Sequence, residues 1–251
     1  MTAGHPLTGP IRVPPLFPGG VAVSDLCVYD TEGADGLAGG SPHLHTASSE
    51  GYVVTGGTGE VHTLSHAGAA IHPLAPGEIV HFSPGTVHRL VNRGDLRLVV
   101  VMQNAGLPEA GDAVLTFPPD VLDDPDAYAA AATLPGGDPD VRASAARRRR
   151  DLALEGYRQL RAQIRDRGPE AYAEFHRRAA KLVQPRVAQW QQQWTRTVAA
   201  ETERTRDQLA ALADGRPGLM SDAAVVRAEP TPGPRGFGMC GRLQTWRWPA
   251  G

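Results

Sequence analysis

A change in the period of the apolar residues limits what this chain can fold into. In the first part, short β-branched or apolar runs such as "EGYVVTG" and "GEVHTL" are separated by Gly, Pro, Asn or Asp. Evenly spaced short strands with tight turns are typical of an antiparallel sandwich or barrel. Further on, apolar residues recur every three or four positions, as in amphipathic helices. We therefore predict a mainly β fold over residues 1–117, followed by an α-helical extension over residues 118–251.

The extension is expected to contain three helices, because Pro and Gly interrupt its helical pattern at three places. The first helix starts near Asp140 and ends at Gly168, the second ends near Pro185, and the third ends before Gly215. Their apolar faces centre on four aromatic residues, Tyr157, Phe175, Trp190 and Trp194. The final run "RLQTWRW" is strand-like, and one interpretation is that it returns to the β part.

The two parts of the chain carry opposite charge. Residues 1–135 contain 4 Arg and 14 Asp or Glu, a balance of −10, whereas residues 136–251 have a balance of +8. Opposite charge, and apolar helix faces too wide to leave in water, predict that the helices pack on the β part of the same chain or of a dimer partner.

A run of four arginines, 147–150, lies within the first predicted helix. Arginines spread around a helix axis, and no aromatic stacking platform accompanies this run. We therefore predict no nucleic-acid partner. The run is interpreted as a solvated face or as a face that docks onto the acidic part of the chain.

The stretch "SPHLHTASSEGYVVTGGTG" places two histidines and a glutamate on neighbouring strands. Because alternate side chains of a strand share a face, His43 and His45 point the same way. Glu50 starts the next strand. The same alternation places Tyr52 on the same face as Glu50, inside the cavity of the predicted β part. A second stretch, "PGEIVHFSPGTVHRLVN", contributes His88.

These two stretches resemble the two-part motif of the cupin superfamily. His-x-His, four residues, Glu, six residues and Gly57 match the first part, and a glycine-led segment with a closing histidine matches the second. The resemblance covers roughly residues 20–105 and implies a cupin jelly-roll β-barrel, with the predicted three-helix extension packed on it. It also implies a metal site whose ligands are His43, His45, Glu50 and His88.

Three imidazoles and one carboxylate form a donor set that suits a divalent transition metal and leaves coordination positions open. We expect one such metal per chain. Iron is the first expectation, and nickel, manganese, copper, cobalt and zinc are the alternatives.

The resemblance is nearest in type to quercetinase-like dioxygenases, and it implies a metal-dependent oxygenase that acts on a small organic molecule. In this interpretation Glu50 takes a proton from the substrate and Tyr52 orients the substrate. One alternative is a redox-neutral metal-dependent isomerase, cyclase or lyase. Another is a non-catalytic cupin that binds a small molecule. The sequence has no segment with the spacing of a DNA-reading helix-turn-helix, which favours an enzyme over a sensor.

Features outside the motif bear on location and assembly. No apolar run approaches the roughly 20 residues needed to cross a bilayer, and no charged leader opens the sequence. Cys27 and Cys240 are too few and too far apart for a disulfide framework. We therefore expect a cytoplasmic protein with no membrane partner and, because cupins commonly dimerise through their sheets, a homodimer.

Overall fold

The structure, a computed structural model, describes residues 17–249. Residues 1–16, at the start of the predicted β part, and residues 250–251 lie outside the described residues. The β part forms seven strands, β1 (Ala22–Val28), β2 (His43–His45), β3 (Glu50–Ser65), β4 (Gly68–Leu74), β5 (Ile79–Phe82), β6 (Val87–Met102) and β7 (Ala113–Leu115).

The extension is mainly helical, as predicted, and ends in short strands. Its α-helices are α1 (Pro119–Leu122), α2 (Pro125–Ala132), α3 (Pro139–Arg167), α4 (Pro169–Val183), α5 (Val187–Trp194) and α6 (Ala200–Ala213). Its strands are β8 (Glu229–Pro230), β9 (Gly236–Phe237), β10 (Gly241–Gln244) and β11 (Trp246–Arg247). Within residues 17–249, no helix combines the length and apolar character that a membrane span requires.

The first two predicted helices correspond to α3 and α4, and the third is divided. A π-helical turn over Thr195–Ala199 joins α5 to α6. The short helices α1 and α2 precede the predicted set, and Asp124 caps α2 by accepting from the backbone N–H groups of Asp126 and Ala127. The boundary predicted at residue 117 falls between β7 and α1. The division into two folding units stays a prediction.

Nine of the strands pair antiparallel in one sheet of order β4-β3-β6-β1-β10-β9, with β5 joined to β3 and β2 joined to β6 and β7, while β8 and β11 pair with each other. The longest ladder runs from Glu50 opposite Met102 to Leu64 opposite Val87. His88 lies near the end of that ladder far from Glu50, ~40 Å away if the sheet were flat. Instead, Oε2 of Glu50 lies 2.8 Å from Nε2 of His88. The sheet therefore closes into a barrel, as the predicted fold class requires.

Glycines in the middle of β3 permit this curvature. The register between β3 and β6 shifts between Val54 and Gly59. Gly57 has a φ of +69°, and a Cβ at this position would lie 2.2 Å from the carbonyl oxygen of Asp95. A residue with a side chain would be strained in this conformation. The irregularity bends the strand, as β-bulges do.

The helices pack on the outer face of the barrel. Leu44 lies between two histidines of the motif and Val87 precedes the third, so their side chains point away from the barrel interior. Both belong to a buried apolar cluster, here named the seam, which they share with the helices. Its large helical members include Tyr157, Leu160, Tyr172, Phe175 and Trp190.

Trp194 was expected in the seam, and this expectation is wrong. Its side chain is 43% exposed, whereas Trp190, one turn earlier, is 5% exposed. The indole N–H of Trp194 donates to Oδ1 of Asn104 at 3.1 Å. A tryptophan whose N–H has a polar partner lies favourably at the edge of an apolar contact.

One close contact fixes α3 on the barrel. A Cβ at Gly156 would lie 2.1 Å from the carbonyl oxygen of Thr116, so glycine allows the two backbones to approach. The hydroxyl of Thr116 donates to the carbonyl of Ala153 at 2.8 Å. This contact positions Arg149, two turns earlier on α3.

The C-terminal tail, residues 229–249, returns to the barrel. This confirms one interpretation of the strand-like run. β10 pairs antiparallel with β1, with Gln244 opposite Asp25 and Gly241 opposite Val28. The tail thereby adds a strand to the sheet, and it brings Cys240 to the barrel interior, where its side chain is buried.

Candidate metal centre

The four predicted ligand residues meet inside the barrel. His43 lies directly opposite His88 across β2 and β6, while His45 ends β2 and Glu50 begins β3. One candidate ligand atom from each residue lies within 4.8 Å of those of the others. All four side chains are buried. The structure thus forms the predicted cluster, and its occupation by a metal stays a proposal.

Two of the histidines are oriented by backbone carbonyl groups. Nδ1 of His43 donates to the carbonyl of Ser41 at 2.9 Å, and Nδ1 of His88 donates to the carbonyl of Thr86 at 3.0 Å. A proton on Nδ1 leaves Nε2 with a free lone pair. This is the arrangement found for histidines that bind metals.

The third histidine faces Asp112, a residue that no spacing in the sequence connects with the motif. Oδ2 of Asp112 lies 3.6 Å from Nδ1 of His45. The carboxylate also accepts hydrogen bonds from the backbone N–H groups of Thr46, Ala47 and Ser48. Burial raises the pKa of Asp112, but these bonds and His45 outweigh burial and lower it below its usual range. Asp112 is therefore ionised and positions His45.

At the centre of the cluster, buried polar atoms lack hydrogen-bond partners among residues 17–249. Oε2 of Glu50 lies 3.2 Å from Nε2 of His45 and 2.8 Å from Nε2 of His88. Despite these short distances, the angles do not fit hydrogen bonds. Oε2 of Glu50 and Nε2 of His88 therefore have no hydrogen-bond partner among the described residues. Buried polar atoms without partners are costly, and a cation bound among them would remove that cost. The donor set therefore fits a divalent transition metal.

The electrostatics of the cluster also favour a cation. Burial lowers the pKa of His43 well below its ordinary value, so this imidazole is neutral. Burial opposes ionisation of Glu50, but the neighbouring histidines hold its pKa well below the usual range. For His45, contacts with Asp112 and Glu50 outweigh burial and raise the pKa to about 9. The two carboxylates thus attract positive charge to this position.

The cluster opens into a cavity of about 330 Å³. Its walls inside the barrel are apolar and include Leu26, Val100 and Met102. Residues 237–240 of the tail and Arg149 of α3 also line it. The seam packs on the outer face of the barrel, and its large helical side chains do not line this cavity. Mostly apolar walls with a few polar groups are typical of a small-molecule site.

Tyr52 lies in the barrel interior near Glu50, as strand alternation predicts, but it does not line this cavity. Its ring packs edge-on against Phe82, with centroids 5.2 Å apart, and its buried hydroxyl has no hydrogen-bond partner. Burial, with the charge of Glu50, raises the pKa of Tyr52 well above its ordinary value. The phenol is therefore neutral, and the geometry does not support the predicted contact with substrate.

The arginine run divides between the two interpretations given for it. Arg147 and Arg148 are exposed, whereas Arg149 and Arg150 are buried. Arg150 docks onto the acidic part of the chain, where it donates to the carbonyl of Thr31 at 2.7 Å. One half of the run is therefore a solvated face and the other half a docking face.

Comparison with known proteins agrees with the barrel and the cluster. The family profile described as the cupin domain matches residues 34–102, which include all four residues of the cluster. Residues 34–102 are therefore a cupin domain. No curated protein is significantly similar to the chain.

Solved structures are similar to less than half of the chain. An uncharacterised Klebsiella pneumoniae protein with a double-stranded β-helix domain is 22% identical over 40% of this chain and 81% of its own, with a TM-score of 0.30. The Streptomyces nucleoside dehydratase Pac13 is 18% identical over 38% and 66%, with a TM-score of 0.29. A predicted oxalate decarboxylase from Thermotoga maritima is 20% identical over 33% and 64%, with a TM-score of 0.25.

Proposed function

We propose that this protein is a metal-dependent cupin enzyme, an oxygenase of the dioxygenase type that acts on a small organic molecule. The observation that supports the proposal is the buried cluster with unpartnered polar atoms at its centre, open to a largely apolar cavity of about 330 Å³. The residues that would hold one divalent transition metal, iron as the first expectation, are His43, His45, Glu50 and His88.

When bound, a redox-active metal would supply Lewis acidity and electron transfer toward O2. Glu50 lines the cavity, and we assign its carboxylate the role of accepting a proton from a substrate hydroxyl. Apolar walls such as Leu26 and Val100 exclude water, which strengthens the electrostatic interactions inside the cavity. We assign Tyr52 no direct contact with the substrate, because its buried hydroxyl lies outside the cavity wall.

Oxygen uptake by protein loaded with single metals tests this function. Metal-stripped protein is loaded separately with Fe(II), Ni(II), Cu(II) or redox-inert Zn(II), and O2 consumption is recorded with flavonols and other small enols. We expect uptake coupled to substrate loss with a redox-active metal, none with Zn(II), and none in His88→Gln.

Other outcomes of this assay contradict the oxygenase. Substrate conversion without O2 uptake would indicate a redox-neutral isomerase, cyclase or lyase. Substrate binding without conversion by any loaded form would indicate a non-catalytic binding protein.

A further inference from the structure

A cationic side chain, Arg149, faces the cavity from outside the barrel. It lies on α3 and lines the same cavity as His43 and Glu50, and its side chain is 8% exposed. The contact between Gly156 and Thr116 holds this part of α3 against the barrel. The position of Arg149 is thus built into the fold.

Within the part of the chain that the structure describes, the charge of Arg149 has no counter-ion. Among residues 17–249, no carboxylate lies within 4 Å of its guanidinium or contributes to its pKa, which burial lowers. Its Nη1 and Nη2 donate to the carbonyls of Ala132 at 3.2 Å and Gly238 at 2.7 Å, while its buried Nε has no partner. Arginine stays protonated in proteins, so the positive charge remains.

The other buried arginines have a carboxylate neighbour, which Arg149 lacks among residues 17–249. Arg89 forms an ion pair with Asp35, and Arg150 lies 3.4 Å from Asp151. A buried charge without a partner is costly, and proteins ordinarily supply one. The cavity lining includes one further carboxylate, Glu109, but it is exposed and accepts from the backbone N–H of Gly106 at 2.8 Å. It does not neutralise Arg149.

We propose that Arg149 binds an anionic group of the substrate, such as a carboxylate, while another part of the same molecule faces the His43, His45, Glu50 and His88 cluster. The inference rests on the proposed function, since it concerns the substrate of that site. Apolar walls and a volume of about 330 Å³ limit the substrate to a small organic anion with an apolar body. Guanidinium groups suit this task because they bind carboxylates through two parallel hydrogen bonds.

A purely structural role for Arg149 makes a different prediction. Its bonds to Ala132 and Gly238 tie the tail to the end of α2, so its loss could loosen the cavity as a whole. Loosening would weaken neutral and charged ligands of the same shape equally. Loss of an anion-binding group weakens the charged ligand alone.

Titration with matched ligand pairs separates these roles. The full-length, metal-loaded protein is titrated by calorimetry with linear dicarboxylates from malonate to adipate and with the monoamide of each. A monoamide keeps the shape and one carboxylate for the metal but lacks the second charge. We expect the wild-type protein to bind at least one dicarboxylate tenfold or more tightly than its monoamide.

Variants assign that preference to one residue. Arg149→Met and Arg149→Gln should lose the preference, and Arg149→Lys should keep part of it. Arg148→Met removes an exposed arginine at the adjacent position and should keep all of it. No preference in the wild-type protein for any pair, or an unchanged preference in folded Arg149→Gln, would overturn the proposal.

If the variants do not fold, a crystal structure of the wild-type protein with the preferred dicarboxylate tests the role of Arg149 instead. A carboxylate within 3.5 Å of the Arg149 guanidinium is expected, and its absence there would overturn the proposal. Metal content, measured beforehand, keeps the two proposals distinct. A metal-free protein with an Arg149-dependent preference would refute only the metal centre, whereas a metal-loaded protein without the preference would refute only the role of Arg149.

Discussion

The metal cluster and the cover of its cavity are built in different ways. The cluster comes from three strands within one cupin domain, between His43 and His88. The cover combines Arg149 of α3 with the tail around Cys240, which is distant in sequence from the cluster. The barrel therefore determines which atoms can hold a metal. The docking of the extension determines which other side chains line the cavity beside those atoms.

Removal of the extension tests this difference most severely. Deletion of residues 136–251 would expose the barrel side of the seam, including Leu44, Leu64 and Val87. We expect an aggregating or inactive barrel, because water-exposed apolar patches of this kind promote association. Size-exclusion chromatography and metal analysis measure the outcome. A soluble, fully metallated and equally active fragment would show that the extension is an independent module.

A single change in the seam should destabilise the protein and spare the cluster. Phe175 is 4% exposed between the helices and the barrel, and Phe175→Ala should lower the free energy of unfolding by about 3–5 kcal/mol. Urea denaturation measures the change, and the variant that remains folded should bind metal as the wild type does. Trp194→Ala, at the exposed tryptophan, is the matched control and should cost much less. Equal losses from the two variants would contradict the assignment of the seam.

A change beside the cluster should have the reverse effect. Asp112→Asn keeps the shape of the side chain but removes the charge that faces His45. We expect metal affinity to fall by about 10- to 100-fold, as for other residues that orient a metal-binding histidine. Competition with a chelator measures this affinity, and Glu109→Gln, at an exposed carboxylate, is the control. Unchanged affinity in Asp112→Asn would remove Asp112 from the site.

The smallest effect is expected on α6. The side chain of Leu209 is 63% exposed. Leu209→Ala should change the free energy of unfolding by no more than about 0.5 kcal/mol, as at other surface positions. Thermal and urea denaturation provide the measurement. A loss of 2 kcal/mol or more would show that this face of α6 is covered in solution.

The cluster could be predicted from the sequence because its determinants are local. Strand alternation places His43 and His45 on one face, and the spacing to Glu50 and His88 matches a known motif. The helices α3 and α4 were likewise visible in their periodicity and in the break at Gly168. Strand alternation and helix periodicity depend on residues only a few positions apart, whereas the more distant His88 is identified by the motif.

The cover could not be predicted because burial there depends on docking. Arg148 and Arg149 are adjacent arginines with the same local pattern, yet one is exposed and the other lines the cavity. The difference arises where Gly156 lets α3 approach the barrel. Asp112 likewise reaches His45 only through the pairing of β7 with β2. The periodic spacing of residues in the sequence does not reveal contacts between segments that lie so far apart in the chain.

Metal analysis of the wild-type protein and four single variants tests the central claim most directly. The protein is purified without added metal, and circular dichroism confirms that each variant is folded. We predict about one transition metal per chain in the wild type, in line with a single donor set. We predict a sharp loss of metal with the fold retained in His43→Ala, His45→Ala, Glu50→Ala and His88→Ala. Unchanged metal content in two or more of these variants would contradict the account.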